Sequence, residues 1–290
     1  MADQPGPAKR STFRGRVLYT ERLTPHLVRV VLGGPGLRGF TAGEYSDNYV
    51  KLLFGRPGVR YPEPFDMEAV RRDLPREDWP RQRTYTVRAW DPDAAELTID
   101  FVVHGDEGLG GPWAAAARPG DEIHLLGPGG GYLPSASADW HLLAGDESAL
   151  PAIAASLERL PADATAHVLL EVADEREELK LPTPAGTELT WLHRGTRPVG
   201  EALVEAVRAL DFPAGRPHVF VHGEAGFVRR IRRLLRVERG VPLEDMSISG
   251  YWRLGADDES WRAVKVDWNR QTEREEAEAV RSRQAPTAAA

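Results

Sequence analysis

Two hydrophobic periodicities divide this chain, and the switch between them constrains the fold more than any single motif. Over 13–127 the apolar residues fall in short or alternating runs, at 13–23, 27–33, 49–54, 84–90, 96–104 and 121–126. Turn-formers such as Asp91-Pro92-Asp93 separate them, the pattern of antiparallel strands joined by tight connections. Six such strands are expected to close into a small β-barrel, because closure leaves no exposed sheet edge. From residue 141 onward, apolar strands at 141–145, 167–172, 189–192, 218–223 and 246–250 interleave with amphipathic stretches near 149–160, 199–210 and 226–239. That alternation predicts a parallel, Rossmann-like sheet wrapped by helices, with ligands at the carboxyl ends of its strands.

The expected fold class is thus β followed by α/β. A six-stranded antiparallel barrel domain covers 12–131, a parallel-sheet domain 138–256 and a C-terminal helix 257–282, with flexible tails at 1–11 and 283–290. The run Gly127-Pro128-Gly129-Gly130-Gly131 reads as the hinge between the halves. Residues 56–82 carry Pro57, Pro62, Pro64, Pro75 and Pro80, and so long a connection in a compact domain reads as a functional loop or lid.

Composition removes several function classes. The 290 residues contain no cysteine, which excludes disulfides, thiolate metal sites, cysteine-ligated clusters and cysteine nucleophiles. Basic residues number 37 against 44 acidic, a net charge of -7, which argues against nucleic acid as a partner bound through bulk charge. No apolar run approaches the roughly 18 residues of a membrane helix, so the chain is expected to be cytoplasmic without stable membrane insertion. Only Lys9, Lys51, Lys180 and Lys265 are lysines, and the other 33 basic residues are arginines.

The densest chemical signal is Arg83-Thr84-Tyr85-Thr86-Val87-Arg88. On an extended strand Arg83, Tyr85 and Val87 share one face, which suits either an ordinary cross-strand ion pair or a planar anionic cofactor met by a ring and a guanidinium. The glycines at 108–111 let backbone N–H groups approach a diphosphate. Gly145-Asp146-Glu147-Ser148 stands at a strand-to-helix turn, where its two carboxylates would repel phosphate and complement a helix dipole. Arg194 and the start of the 226–239 helix, at Arg229 or Arg230, are the candidates for a cofactor phosphate.

These segments resemble the siderophore-interacting protein family. The likeness runs through Arg83-x-Tyr85-Thr86-x-Arg88, Asp100-Phe101-Val102-Val103-His104-Gly105, Gly108 to Ala114, Leu143 to Ile153, Trp191-Leu192-His193-Arg194, Gly223-Glu224-Ala225 and Ile248 to Gly255, in order over roughly 12–268. The resemblance implies an FAD-dependent, NAD(P)H-linked ferric-siderophore reductase in the ferredoxin-reductase-like superfamily, with FAD on the barrel and NADPH or NADH on the α/β domain. It assigns the flavin to Arg83, Tyr85, Thr86 and Val87, and the adenosine and diphosphate side to Asp100, Phe101, His104, Gly110, Gly111 and Trp113. Tyr251 and Trp252 would cover the flavin as stacking or packing aromatics. Gly145, Asp146, Glu147, Arg194, Gly223 and Glu224 would hold the nicotinamide nucleotide. Lys51, Arg262 and Lys265 would meet an anionic ferric siderophore, the small-molecule partner, or stand as surface charges. No metal is held by the protein, no side chain acts as acid, base or nucleophile, and a monomer is expected. Two other functions stay open here: a flavin reductase serving a separate protein partner, and a non-catalytic siderophore-binding protein.

Overall fold

A computed structural model describes residues 11–284. Of the expected tails, 1–10 and 285–290 lie outside the described residues. The chain divides into two compact units, with the boundary after Gly131.

The first unit is an antiparallel sheet of β1 (Thr12–Thr24), β2 (Leu27–Gly33), β3 (Tyr49–Phe54), β4 (Arg81–Thr86), β5 (Ala89–Asp91), β6 (Glu96–Val102) and β7 (Glu122–Gly129), in the order β4-β3-β7-β1-β2-β6-β5. Seven strands arise from six runs because the expected 84–90 strand is bent. Up to Thr86 it pairs with β3, Val87 N donates to Asn48 O at 2.6 Å, and then Arg88 N turns to Thr98 O on β6 at 2.9 Å. One bent segment therefore joins both edges of the sheet, which is how a short sheet closes into a barrel. Inside lie Val30, Leu32, Leu52, Leu97, Ile99, Phe101 and Leu125, all fully buried. Two short helices accompany the sheet, α1 (Met67–Asp73) and α2 (Gly110–Ala116).

Two expectations change. The 56–82 segment is a docked layer rather than a lid: Met67 and Val70 are buried with Leu53 and Leu126, and Phe65 stacks on His124 at 4.3 Å. The Tyr61 hydroxyl accepts from Arg56 N at 2.8 Å and donates to Asp78 O at 2.9 Å, fastening the segment's two ends. The glycine run is no hinge through its first half, because Gly129 lies within β7 and pairs with Tyr49 of β3.

The second unit is a parallel sheet of β8 (Trp140–Gly145), β9 (Thr165–Val172), β10 (Gly186–His193), β11 (Pro217–Glu224) and β12 (Met246–Trp252), in the order β10-β9-β8-β11-β12. Successive strands leave β8 in opposite directions, so the carboxyl ends of β8 and β11 form the switch point where such sheets bind ligands. Its helices are α3 (Leu150–Leu157), α4 (Glu201–Ala209), α5 (Ala225–Arg233) and α6 (Asp258–Gln284). The last begins and ends later than the expected 257–282. Residues 234–238 continue α5 as a π-turn. Of the two α5 arginines expected near a dinucleotide phosphate, Arg229 is engaged elsewhere. Arg229 bonds to Glu275 and lies over the Trp268 ring, and Arg232 meets both oxygens of Glu276 at 2.9 Å, so this row anchors α6.

The barrel's ion pair yields a stability test. Arg29 donates to both oxygens of Asp100 at 2.7 and 2.8 Å across β2 and β6, and these hydrogen bonds to Asp100 hold the guanidinium pKa above its usual range. Asp100→Ala strands this cation. Chemical denaturation should show a loss of about 2–3 kcal/mol, below the full figure for a buried pair because Arg29 keeps about a quarter of its side chain in solvent.

Candidate functional site

In the first unit the structure gathers Tyr85, Phe101, Gly110 and Trp113 into one cluster. The Tyr85 ring lies 4.3 Å from Phe101, which in turn lies 5.6 Å from Trp113. A Cβ on Gly110 would overlap the Tyr85 hydroxyl, so glycine is required there for α2 to approach β4. Behind Gly111 stands Val102 O, 3.0 Å from where a Cβ would be. The first turn of α2 has no side-chain cap, leaving its N–H groups with the partial positive charge of a helix start. Arg83 is half-buried and donates to the Gln82 carbonyl at 2.9 Å. Thr86 and Val87 are buried at the bend, and His104 is exposed just beyond β6. Asp100 is a different matter: both its oxygens are engaged by Arg29, which places it in the barrel's framework.

In the second unit a single carboxylate ties the strand ends together. Asp146, fully buried, accepts from Ser148 N at 2.9 Å and Ser148 Oγ at 2.5 Å through one oxygen. Through the other it accepts from Glu224 N at 2.8 Å and Trp252 Nε1 at 2.8 Å. Asp146 also opens the helical turn that leads into α3, as expected of an acid there: besides the Ser148 N bond to its side chain, its carbonyl accepts from Ala149 N at 3.0 Å and Leu150 N at 3.2 Å. Gly223, at φ 139, leaves room for this carboxylate: a Cβ there would stand 2.7 Å from it and 2.5 Å from Phe227. Gly145 is equally constrained, with Ala149 at 2.5 Å and His222 O at 2.6 Å. Glu224 caps α5, accepting from Gly226 N at 2.6 Å and Phe227 N at 3.1 Å. Glu147 holds Arg194 at 2.6 Å. Tyr251 lies on the His222 ring at 4.7 Å.

The basic groups differ in setting. Lys51 stands on β3 opposite Thr84. On α6, Arg262 reaches Asp258 at 3.7 Å, while Lys265 is half-buried and burial pushes its ammonium pKa down. Its charge also helps keep the buried His222 neutral, after burial itself, with the imidazole lowered to about 3. Among the described residues no group of three or more metal-ligating side chains occurs, and no helix is long and apolar enough to cross a membrane.

Sequence reasoning missed Glu171 and His222. Glu171 is buried at the end of β9 and accepts from Gly200 N at 2.7 Å and Leu203 N at 3.3 Å, capping α4 from a neighbouring strand. The available signal was a carboxylate inside the otherwise apolar strand Val168-Leu169-Leu170-Glu171-Val172. His222 lacked any such contrast.

An antiparallel barrel with this aromatic cluster, followed by a parallel sheet with a switch point, is the ferredoxin-reductase-like architecture of an FAD oxidoreductase. Residues 16–132 match the siderophore-interacting FAD-binding domain and 138–255 the siderophore-interacting protein domain. This chain belongs to the siderophore-interacting protein family. A siderophore utilization protein from T. fusca superposes with a TM-score of 0.74 at 40% identity, covering 86% of this chain and 95% of that one. The ferric vibriobactin reductase of Vibrio cholerae is 34% identical over 245 residues, 82% of this chain and 88% of that protein. The NADPH-dependent ferric-chelate reductase of Escherichia coli is 30% identical over 241 residues, 81% of this chain and 91% of that protein.

Asp146 sets a pH dependence. Burial, with Glu147 adding to it, pushes its carboxyl up from 3.8 to about 6. The folded state then keeps a proton that the unfolded chain has lost, so this group's contribution to stability falls as pH rises from about 4 to about 6 and is level above that. Denaturant unfolding at a series of pH values should show this decline, and Asp146→Asn should flatten it while lowering stability at pH 7 by about 1–3 kcal/mol through unsatisfied donors.

Proposed function

We propose that this protein is an NAD(P)H-dependent ferric-siderophore reductase. The observation that carries the reading is the Tyr85–Gly110 contact beside Arg83, on a barrel of an FAD-binding family. The donor set suits FAD: a ring for the isoalloxazine, a guanidinium for the ribityl phosphate, and the uncapped start of α2 for the diphosphate. When bound, FAD supplies two-electron acceptance from a reduced nicotinamide and single-electron delivery to Fe(III), chemistry that no side chain of a cysteine-free chain supplies.

The chain's own residues then bind, orient and exclude. Tyr85 covers one ring face, backed by Phe101, and Thr86 and Val87 fix the bend that presents it. Gly110, Gly111 and Trp113 shape the diphosphate turn, with His104 at its edge. Asp100 acts from behind, by fixing Arg29. In the α/β unit Gly145, Asp146, Gly223 and Glu224 set the spacing of the strand ends that receive the nicotinamide nucleotide, Glu147 and Arg194 border it, and Tyr251, on the His222 ring, and Trp252, held by Asp146, supply aromatic surface. Lys51 is proposed to meet an anionic siderophore, and so are Arg262 and Lys265. A half-buried lysine with a lowered pKa gains from such an anion, which restores its charged form. Support comes from the two relatives whose names specify reduction of ferric vibriobactin and of ferric chelates. The reading puts the reaction in the cytoplasm, where reduced nicotinamides are available.

The test is anaerobic. Protein, FAD and NADH or NADPH are mixed with hydroxamate, catecholate and carboxylate ferric siderophores, and Fe(II) is trapped by a ferrous chelator. Fe(II) should form with at least one class, and its absence with all three would end the reading. Lys51→Ala and Lys265→Ala should each raise KM for the siderophore by roughly tenfold, as expected for loss of one charge-assisted contact, with flavin reduction by the nicotinamide unchanged.

A further inference from the structure

Resting on the reductase reading, the geometry points to NADH rather than NADPH as the electron donor, because Arg194 is committed to carboxylates and reads no 2′-phosphate. In dinucleotide-binding sheets the group that distinguishes a ribose 2′-hydroxyl from a 2′-phosphate stands near the carboxyl end of the strand beside the first one. Here that strand is β9, next to β8. Beyond its end the chain after β10 stays alongside, with Arg194 N donating to Val172 O at 2.8 Å and Gly195 N to Ala173 O at 3.0 Å. Arg194 is thus the guanidinium at the place where a 2′-phosphate would be met.

Its charge is already spent. Arg194 Nη2 donates to Glu147 Oε1 at 2.6 Å, and Nη1 reaches Glu147 Oε2 at 3.3 Å and Glu171 Oε1 at 3.4 Å. The trio is sheltered, at 18%, 17% and 0% side-chain exposure respectively. Glu171 cannot turn away, since its oxygens cap α4. A phosphate that drew Arg194 off would leave these sheltered carboxylates without their cation, and breaking such a pair costs far more than breaking an exposed one.

The neighbouring arginines sit in more exposed pairs, and those pairs add no net positive charge. Arg176 is engaged bidentately by Asp174, two residues past β9, at 3.0 and 2.7 Å. Arg197 is engaged by Glu201 at 3.2 Å and Glu205 at 2.7 Å. Three guanidiniums therefore face five carboxylates around these strand ends, a field that disfavours an added phosphate dianion and accepts a neutral 2′-hydroxyl.

Calorimetric titration of the FAD-loaded protein with ADP-ribose and with its 2′-phosphate isolates this part of the donor, and anaerobic flavin reduction over a range of NADH and NADPH concentrations gives the matching dissociation constants. ADP-ribose and NADH should bind at least about tenfold more tightly than their 2′-phosphorylated counterparts. Glu147→Gln, which removes the charge behind two of the three Arg194 contacts, should narrow that ratio, and Asp174→Asn, which releases Arg176, should do so without touching the sheltered trio. Equal or tighter binding of the phosphorylated forms by the unaltered protein would overturn the preference while leaving the reductase reading intact. Flavin reduced by neither nicotinamide would overturn both.

Discussion

The close approach of Tyr85 to Gly110 is the contact on which the flavin-binding half depends. It needs three things at once: a strand that bends at Val87, a ring supported from below by Phe101, and a helix that starts without a Cβ at its first position. The bend is what carries one segment from β3 to β6 and closes the barrel, so closure and ring presentation come from the same local geometry. Any side chain at Gly110 would push α2 away from β4, and with it the turn that meets a diphosphate.

The second unit solves a different problem. Parallel strands end side by side, and their carboxyl ends must stay open to a ligand without drifting apart. Asp146 does this by accepting four hydrogen bonds from three places in the sequence. The arrangement has a cost, visible in a carboxyl pushed up to about 6 by burial. Glu171 repeats the device on the other side of β8, with Arg194 and the start of α4 as its partners. Carboxylates at this sheet's edge are thus framework before they are ligand contacts, and the arginines beside them are already neutralised.

Much of this was legible in the sequence because it is periodic or local. The twofold and strand-helix patterns give both sheets, and the 83–88 strand with the glycines at 108–111 gives the cluster, since each depends on residues close in the chain. What escaped depends on partners far apart. Asp146 and Glu147 read only as helix-start acids because Trp252 and Arg194, 106 and 47 residues away, are invisible to a local pattern. The Arg29–Asp100 pair escaped because 71 residues separate its members. The proline-rich 56–82 segment read as a lid because its anchoring contacts run to Leu53, Leu126 and His124, outside the segment itself.

On the proposed reading, this chain's redox chemistry resides in an FAD held against Tyr85 through the room that Gly110 provides. Titrating flavin-depleted protein with FAD, followed by quenching of flavin fluorescence, tests it most directly in parallel with Gly110→Ala. The unaltered chain should bind one-to-one and saturably, and a variant that still folds should lose at least about a hundredfold in affinity, the scale of displacing a ring and a diphosphate turn together. Equal binding by both proteins, or no saturable binding by either, would contradict that reading.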